Sequence, residues 1–248
     1  MKSTNNKLKI PVIDLSLDNK QLSENVTYAV ENFGFFNIIN HEIPHQVIVR
    51  TINDCKRFFS LSDSIKNKIN CKKHNGARGY FFKGQENLNN VINLQRLESI
   101  NENNLNNIID NKEGYDMANN ATGPNFNECN IFGTPTPWPP EQDIPGFHNN
   151  MEEYHFMMNK LANRLLTIIS ISLNLEPDFF KDKFDKPVST LRLLHYFNNS
   201  SINSISAGSH TDYGGLTILL QESPGLQILK DKMWINVPTS DKILTVSI

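Results

Sequence analysis

Three residues late in the chain, His210-Thr211-Asp212, carry the side chains best suited to chemistry. In extended backbone, residues i and i+2 point to one side. His210 and Asp212 would then offer an imidazole nitrogen and a carboxylate oxygen to a shared space. Those donors suit a divalent first-row metal. A further His would complete a facial triad, which leaves positions on Fe(II) open for oxygen and a co-substrate. The tripeptide alone is common, so its weight comes from its surroundings. Ile205–His210 is expected to be a strand, and Tyr213-Gly214-Gly215 offers a tight turn into the next.

The elements that must hold such a site change character along the chain. Ile10–Leu15 reads as a short edge strand because Pro11 cannot donate to a ladder. Leu22, Val26, Ala29 and Phe33 share a helical face, and Gly34 is placed to end that helix. Phe35–Ile39 is a buried strand, and Pro44 can open a helix carrying Ile48, Ile52, Cys55 and Phe59 on one face. Gly76–Tyr80 reads as a turn entering a strand. Asn101–Asn111, rich in Asn, reads as a surface loop. Pro135–Pro140 must run extended. Met151, Tyr154, Met158, Leu161, Leu165 and Ile168 mark a long helix from about Asn150 to Leu173, and core packing explains that stripe. Strands then dominate: Ser189–Phe197, Ile205–His210, Gly215–Leu220 (apolar enough to be buried on both faces), a hairpin around Lys230-Asp231-Lys232, and Ile243–Ile248. Helices first and strands second predict an α+β fold with a jelly-roll (double-stranded β-helix) core. The expected blocks are 1–120, 121–186 as linker and long helix, and 187–248.

Bulk properties exclude several classes. The 248 residues are 38% hydrophobic with 15 Phe, a globular composition. The net charge of −2 comes with no basic run, so nucleic acid is not an expected partner. No apolar stretch approaches the roughly 20 residues of a membrane span, and the N-terminus lacks a signal-peptide core. A cytoplasmic protein acting on a small molecule is expected. Cys55, Cys71 and Cys129 form no C-x-x-C pair and read as reduced thiols.

Leu191-Arg192-Leu193-Leu194-His195-Tyr196, Ser209–Gln221, and Gly225–Ile228 through Trp234–Pro238 resemble the core of the isopenicillin N synthase-like Fe(II) and 2-oxoglutarate (or ascorbate) dependent oxygenases. Pro11–Leu15 and Gly34–His41 resemble that family's N-terminal region; Lys112–Asp116 and Leu161–Leu166 fit its middle. The resemblance implies that His210 and Asp212 are iron ligands. It also implies that the Tyr196 hydroxyl meets a carboxylate of co-substrate or substrate; a tyrosine packed inside a barrel is the other reading of that residue. Implied cofactors are Fe(2+) and either 2-oxoglutarate or ascorbate. Implied reactions are hydroxylation, desaturation or ring closure.

The pattern breaks in two places. The family's third ligand, a later His, and the Arg-x-Ser that follows it have no counterpart, since no His follows His210 and no Arg follows Arg192. The jelly roll is therefore expected to be incomplete at its C-terminus, and the truncated chain to be a marginal folder with impaired catalysis. An inactive remnant or binding protein is the alternative, and a cupin-like barrel a third. The second break is Glu42, where relatives carry Gly; a positive φ there would cost Glu roughly 1 kcal/mol or more. His41, His45, His74, His148, His155 and His195 lack flanking ligands and read as structural.

Overall fold

A computed structural model describes residues 9–74, 78–86, 110–118, 135–184, 189–198, 206–212 and 214–248. The chain divides into two compact units, one of Met1–Ile52, Phe156–Pro187 and Asp212–Ile248, the other of Asn53–His155 and Val188–Thr211.

The first unit is built on a four-stranded sheet. Its strands are β1 (Val12–Asp14), β2 (Phe35–Ile39), β6 (Thr217–Leu219) and β9 (Leu244–Ser247), in the order β1-β2-β9-β6. β1 runs parallel to β2 at the edge that Pro11 predicts, with the Asn37 N–H donating to the Pro11 carbonyl. Helix α1 (Asn19–Phe33) starts at Asp18, whose side chain accepts the Gln21 N–H, and buries Leu22, Val26 and Ala29. Gly34 ends it at φ 69°, where its N–H reaches the Ala29 and Val30 carbonyls. β2 is buried on both faces. Phe36 and Ile38, paired with Val246 and Leu244, make one face apolar; on the other, Thr245 donates its hydroxyl to Asn37 at 2.9 Å. Among the described residues β6 pairs only with β9, and it is half-buried rather than enclosed on both faces. Its edge position overrides what its apolar run suggests.

A separate two-stranded ribbon in this unit joins β7 (Gln227–Lys230) to β8 (Met233–Asn236). Its turn places both Asp231 (φ 49°) and Lys232 (φ 65°) in the left-handed region. Two left-handed central residues match the twist of a two-residue hairpin. Ile228 and Ile235 pair toward a small cluster with Ile10 and Val237, while Leu229 and Trp234 pair on the exposed side.

The second unit holds the sheet β3 (Gly79–Phe81), β4 (Lys112–Met117) and β5 (Leu191–Tyr196), antiparallel throughout. Its core contains Phe58, Tyr80, Tyr115, Met117, Phe147, Met151 and Leu193. The Phe58 ring stacks on Phe147 at 5.2 Å and meets Tyr115 at 4.7 Å. A fully buried Phe stabilises by about 1.5–3 kcal/mol through area alone.

Helix α2 (His45–Phe59) buries Val47, Ile48, Thr51, Asp54 and Phe58, a stripe displaced from the one its apolar spacing suggests. Asp54 can be buried because Arg57 and Asn150 both donate to its carboxylate. Three short elements follow: helix α3 (Asp63–Lys66), which buries Lys66, and two 3-10 turns, Asn67–Ile69 and Cys71–Lys73. The long helix α4 (Phe147–Ser172) buries every member of its predicted stripe. Residues 135–140 carry neither helix nor strand.

Two further expectations change. Asp110 and Asn111, read as the end of a surface loop, are buried; residues 101–109 lie outside the described set. Residues 206–210 form no strand. There the Gly208 N–H and C=O are both taken by side chains, an alternative to a ladder.

Candidate metal centre

The two faces of the β3-β4-β5 sheet differ in chemistry. On the core face His195 lies opposite Glu113, and Leu193 opposite Tyr115. On the other face Tyr196 lies opposite Lys112, Leu194 opposite Gly114, and Arg192 opposite Asp116. The alternation of β5 sends His195 and Tyr196 to opposite sides. Gly114 is required where it stands, because a Cβ there would collide with the Phe81 ring and lie 2.9 Å from the Leu193 carbonyl oxygen.

Tyr196 ends β5 with 44% of its surface exposed. Burial of its hydroxyl raises its pKa; Arg192 opposes the rise, and Asp110 and Glu86 add to it. Around it runs a series of ion pairs. Arg192 donates to both Asp116 oxygens at 2.8 Å and to Glu86 at 3.0 Å. Lys112 Nζ bridges Glu86 at 2.9 Å and Asp110 at 3.3 Å. Burial pushes the Asp116 carboxyl up despite Arg192. Burial would do the same to Glu86, but Arg192 and Lys112 hold it below the usual carboxylate range.

From Asp110 these ion pairs lead to the segment that carries the candidate ligand. The Gly208 N–H donates to Asp110 Oδ1 at 3.2 Å. The Gly208 carbonyl oxygen lies 2.8 Å from His210 Nδ1. A neutral imidazole that donates Nδ1–H there presents Nε2 as its basic nitrogen, the arrangement common among metal-bound histidines. His210 and Asp212 are both exposed and lie outside the strands. Tyr213 is outside the described residues.

The remaining histidines occupy other settings. The His41 ring takes the Ile43 N–H, as its turn position suggests. His155 is buried, with Nε2 3.0 Å from the Ser189 hydroxyl oxygen. His45 faces Asp241, and His148 faces Glu152. His74 lies by the Lys68 carbonyl. Among the described residues, no group of three or more His, Cys, Asp or Glu side chains is arranged to hold a metal ion. The donor types at positions 210 and 212 fit Fe(II), and residues 213–248 add no histidine. Among the described residues no helix is long and apolar enough to cross a membrane.

Asp110, Lys112 and Glu86 are the part of this region that sequence reasoning missed. Asp110 sits at the end of a polar, Asn-rich run, and nothing local distinguishes it from a solvated side chain.

Helices ahead of mostly antiparallel strands match the jelly-roll class of non-haem oxygenases. The sequence matches the family "non-haem dioxygenase in morphine synthesis N-terminal" over residues 10–141 and the 2OG-Fe(II) oxygenase superfamily over residues 187–248. It is 31% identical to a Dictyostelium discoideum protein described as a probable iron/ascorbate oxidoreductase, covering 93% of this chain and 68% of that one. It is 29% identical to a clavatol oxidase of Penicillium crustosum, covering 96% and 75%. A 2-oxoglutarate-Fe(II) type oxidoreductase of Emericella nidulans is also 29% identical, but this chain spans only 61% of its length. The crystal structure of a full-length Neurospora crassa protein in complex with alpha-KG superposes with a TM-score of 0.79 at 25% identity, over 98% of this chain and 74% of that one. The chain belongs to the 2OG-Fe(II) oxygenase superfamily, whose members use Fe(2+) and 2-oxoglutarate.

Proposed function

We propose that His210 and Asp212 are two Fe(II) ligands of an oxidoreductase acting on a small organic molecule. We further propose that the Tyr196 hydroxyl donates to a carboxylate of 2-oxoglutarate. The observation that carries the reading is His210 itself: exposed, with Nδ1 committed to the Gly208 carbonyl, which makes Nε2 its basic nitrogen. Two relatives support a small-molecule substrate, the clavatol oxidase by its name and the Neurospora crassa protein by its complex with alpha-KG and thymine.

Bound Fe(II) would supply oxygen activation and one-electron chemistry that side chains lack. The protein's own contribution is positional. His210 supplies a neutral nitrogen and Asp212 a carboxylate. Tyr196 supplies a phenolic O–H, a donor at neutral pH. Hydroxylation, desaturation and ring closure are all compatible with that arrangement. Iron/ascorbate and 2-oxoglutarate names both occur among the relatives, and 2-oxoglutarate is the co-substrate proposed here.

The polypeptide of residues 1–248 by itself offers two of three triad donors and no Arg beyond residue 192. We propose that this polypeptide alone holds Fe(II) more weakly than a complete triad and turns over poorly.

Anaerobic calorimetric titration with Fe(II) tests the assignment. One equivalent is expected to bind, and His210→Ala and Asp212→Ala should each abolish most of the heat. Unchanged binding in both variants would remove the metal site. With Fe(II) present, Tyr196→Phe should weaken 2-oxoglutarate binding by about tenfold, the worth of one hydrogen bond to a charged group.

A further inference from the structure

Asp110 is fully buried just ahead of β4, where Lys112 and Gly208 are among its partners. Lys112, 2% exposed, balances its charge at 3.3 Å. The Gly208 N–H donates to its other oxygen at 3.2 Å. Gly208 is itself buried, although Ser209, His210 and Thr211 after it are exposed. The anchored peptide is therefore the last buried point before the candidate ligand. Its carbonyl oxygen is the atom that meets His210 Nδ1. One residue thus receives a carboxylate on its N–H side and an imidazole on its C=O side. The carboxylate is rigidly held, since Lys112 is tied in turn to Glu86, and Glu86 to Arg192.

We infer that Asp110 is a positioning residue for the metal site: by fixing Gly208 it sets the ring orientation and tautomer of His210. The inference rests on the reading of His210 as a ligand. Asp110 acts only through Gly208 and does not touch metal or co-substrate in this account. Outer partners that orient a metal-bound imidazole change metal affinity by about 10–100-fold when removed. A carboxylate acting at one remove should fall at the lower end of that range.

Co(II) titration of the 248-residue chain, followed by visible absorption, reads affinity. Long-range 1H–15N spectra of the metal-free protein read the His210 tautomer. Wild type should show the Nδ1–H form at His210. Asp110→Ala should weaken Co(II) binding by about tenfold and mix the tautomers. Asp110→Asn retains an oxygen for the Gly208 N–H, so it should keep the tautomer and lose less than about threefold. Removing Asp110 strands part of the Lys112 charge and could unfold the unit. The double variant Asp110→Ala/Lys112→Met removes both groups and keeps the test open. If His210→Ala abolishes Co(II) binding while the Asp110→Ala and double variants leave affinity and tautomer unchanged, the positioning role is overturned and the metal site stands. If His210→Ala leaves affinity unchanged, the metal site is overturned, and the positioning role with it.

Discussion

Glu113 Oε1 lies 2.8 Å from His195 Nδ1, and the other oxygen of the same carboxylate takes Lys66 Nζ at 2.9 Å and the Tyr80 hydroxyl at 2.6 Å. One buried carboxylate thus ties β3, β4, β5 and α3 together. Burial would raise its pKa, but the hydrogen bonds from His195, Tyr80 and Lys66 outweigh that and lower it. Tyr80 moves the other way, pushed up by burial and by Glu113. Glu113→Ala leaves Lys66 buried without its main counter-charge and is expected to cost about 3–5 kcal/mol. The double variant Glu113→Leu/Lys66→Met should recover most of the loss. Urea unfolding of the three proteins checks both statements; a double variant as unstable as the single would contradict them.

Gly114 faces Phe81 across β3 and β4 with no room for a methyl group. The ring can shift, but the Leu193 carbonyl belongs to the sheet and cannot follow. Gly114→Ala should therefore destabilise by about 1–3 kcal/mol, the usual cost of overpacking. A midpoint shift in denaturant with unchanged slope is the expected signature.

His155 gives the second unit a predictable acid sensitivity. Burial first, and the Arg78 charge second, push its pKa down to about 4. A depressed His pKa means the unfolded chain takes up its proton first as pH falls. The stabilisation is whole above about pH 6.5 and drains away between there and about pH 4. Over that window the loss is on the order of 3 kcal/mol. His41, in the first unit, is also lowered by burial and gives that unit a sensitivity of the same sign. Thermal melts from pH 7 to pH 5 should show the fall, and His155→Gln should flatten most of it.

Glu42 stands at φ 65°, the left-handed backbone expected from the departure seen in the sequence. Its side chain meets Arg164 at 3.1 Å on the surface, a contact of small worth. Comparing two substitutions isolates the backbone cost, because Gly and Ala lose that contact equally. Glu42→Gly should be more stable than Glu42→Ala by about 1 kcal/mol. Equal melting temperatures would show that the turn is unstrained.

Much of this was legible before any coordinates. The α1 and α4 stripes, the Gly34 cap, the edge position of Pro11 and the β7–β8 hairpin all follow from periodicity and turn chemistry. Local signals of that kind act within a few residues, where sequence and contact coincide. The misses share a different cause. β6 looked enclosed because its residues are apolar, yet enclosure depends on which strands flank it. Residues 206–210 looked like a strand, yet a side chain about a hundred positions away takes the Gly208 N–H. Asp110 looked solvated because its surroundings, Lys112, Glu86 and Gly208, are set by tertiary pairing that local composition does not report.

The left-handed pair Asp231-Lys232 has a consequence for the ribbon it closes. Because both residues must occupy that backbone region, the loop can be neither lengthened nor shifted by one position without losing its geometry. It therefore acts as a clamp on phase, since a single-step slip would swap every side chain between the two sides of the ribbon. Trp234, now 53% open to solvent, would turn inward, and Ile235 would take its place outside. Two strained residues in a tight bend thus decide which indole or isoleucine the rest of the unit meets.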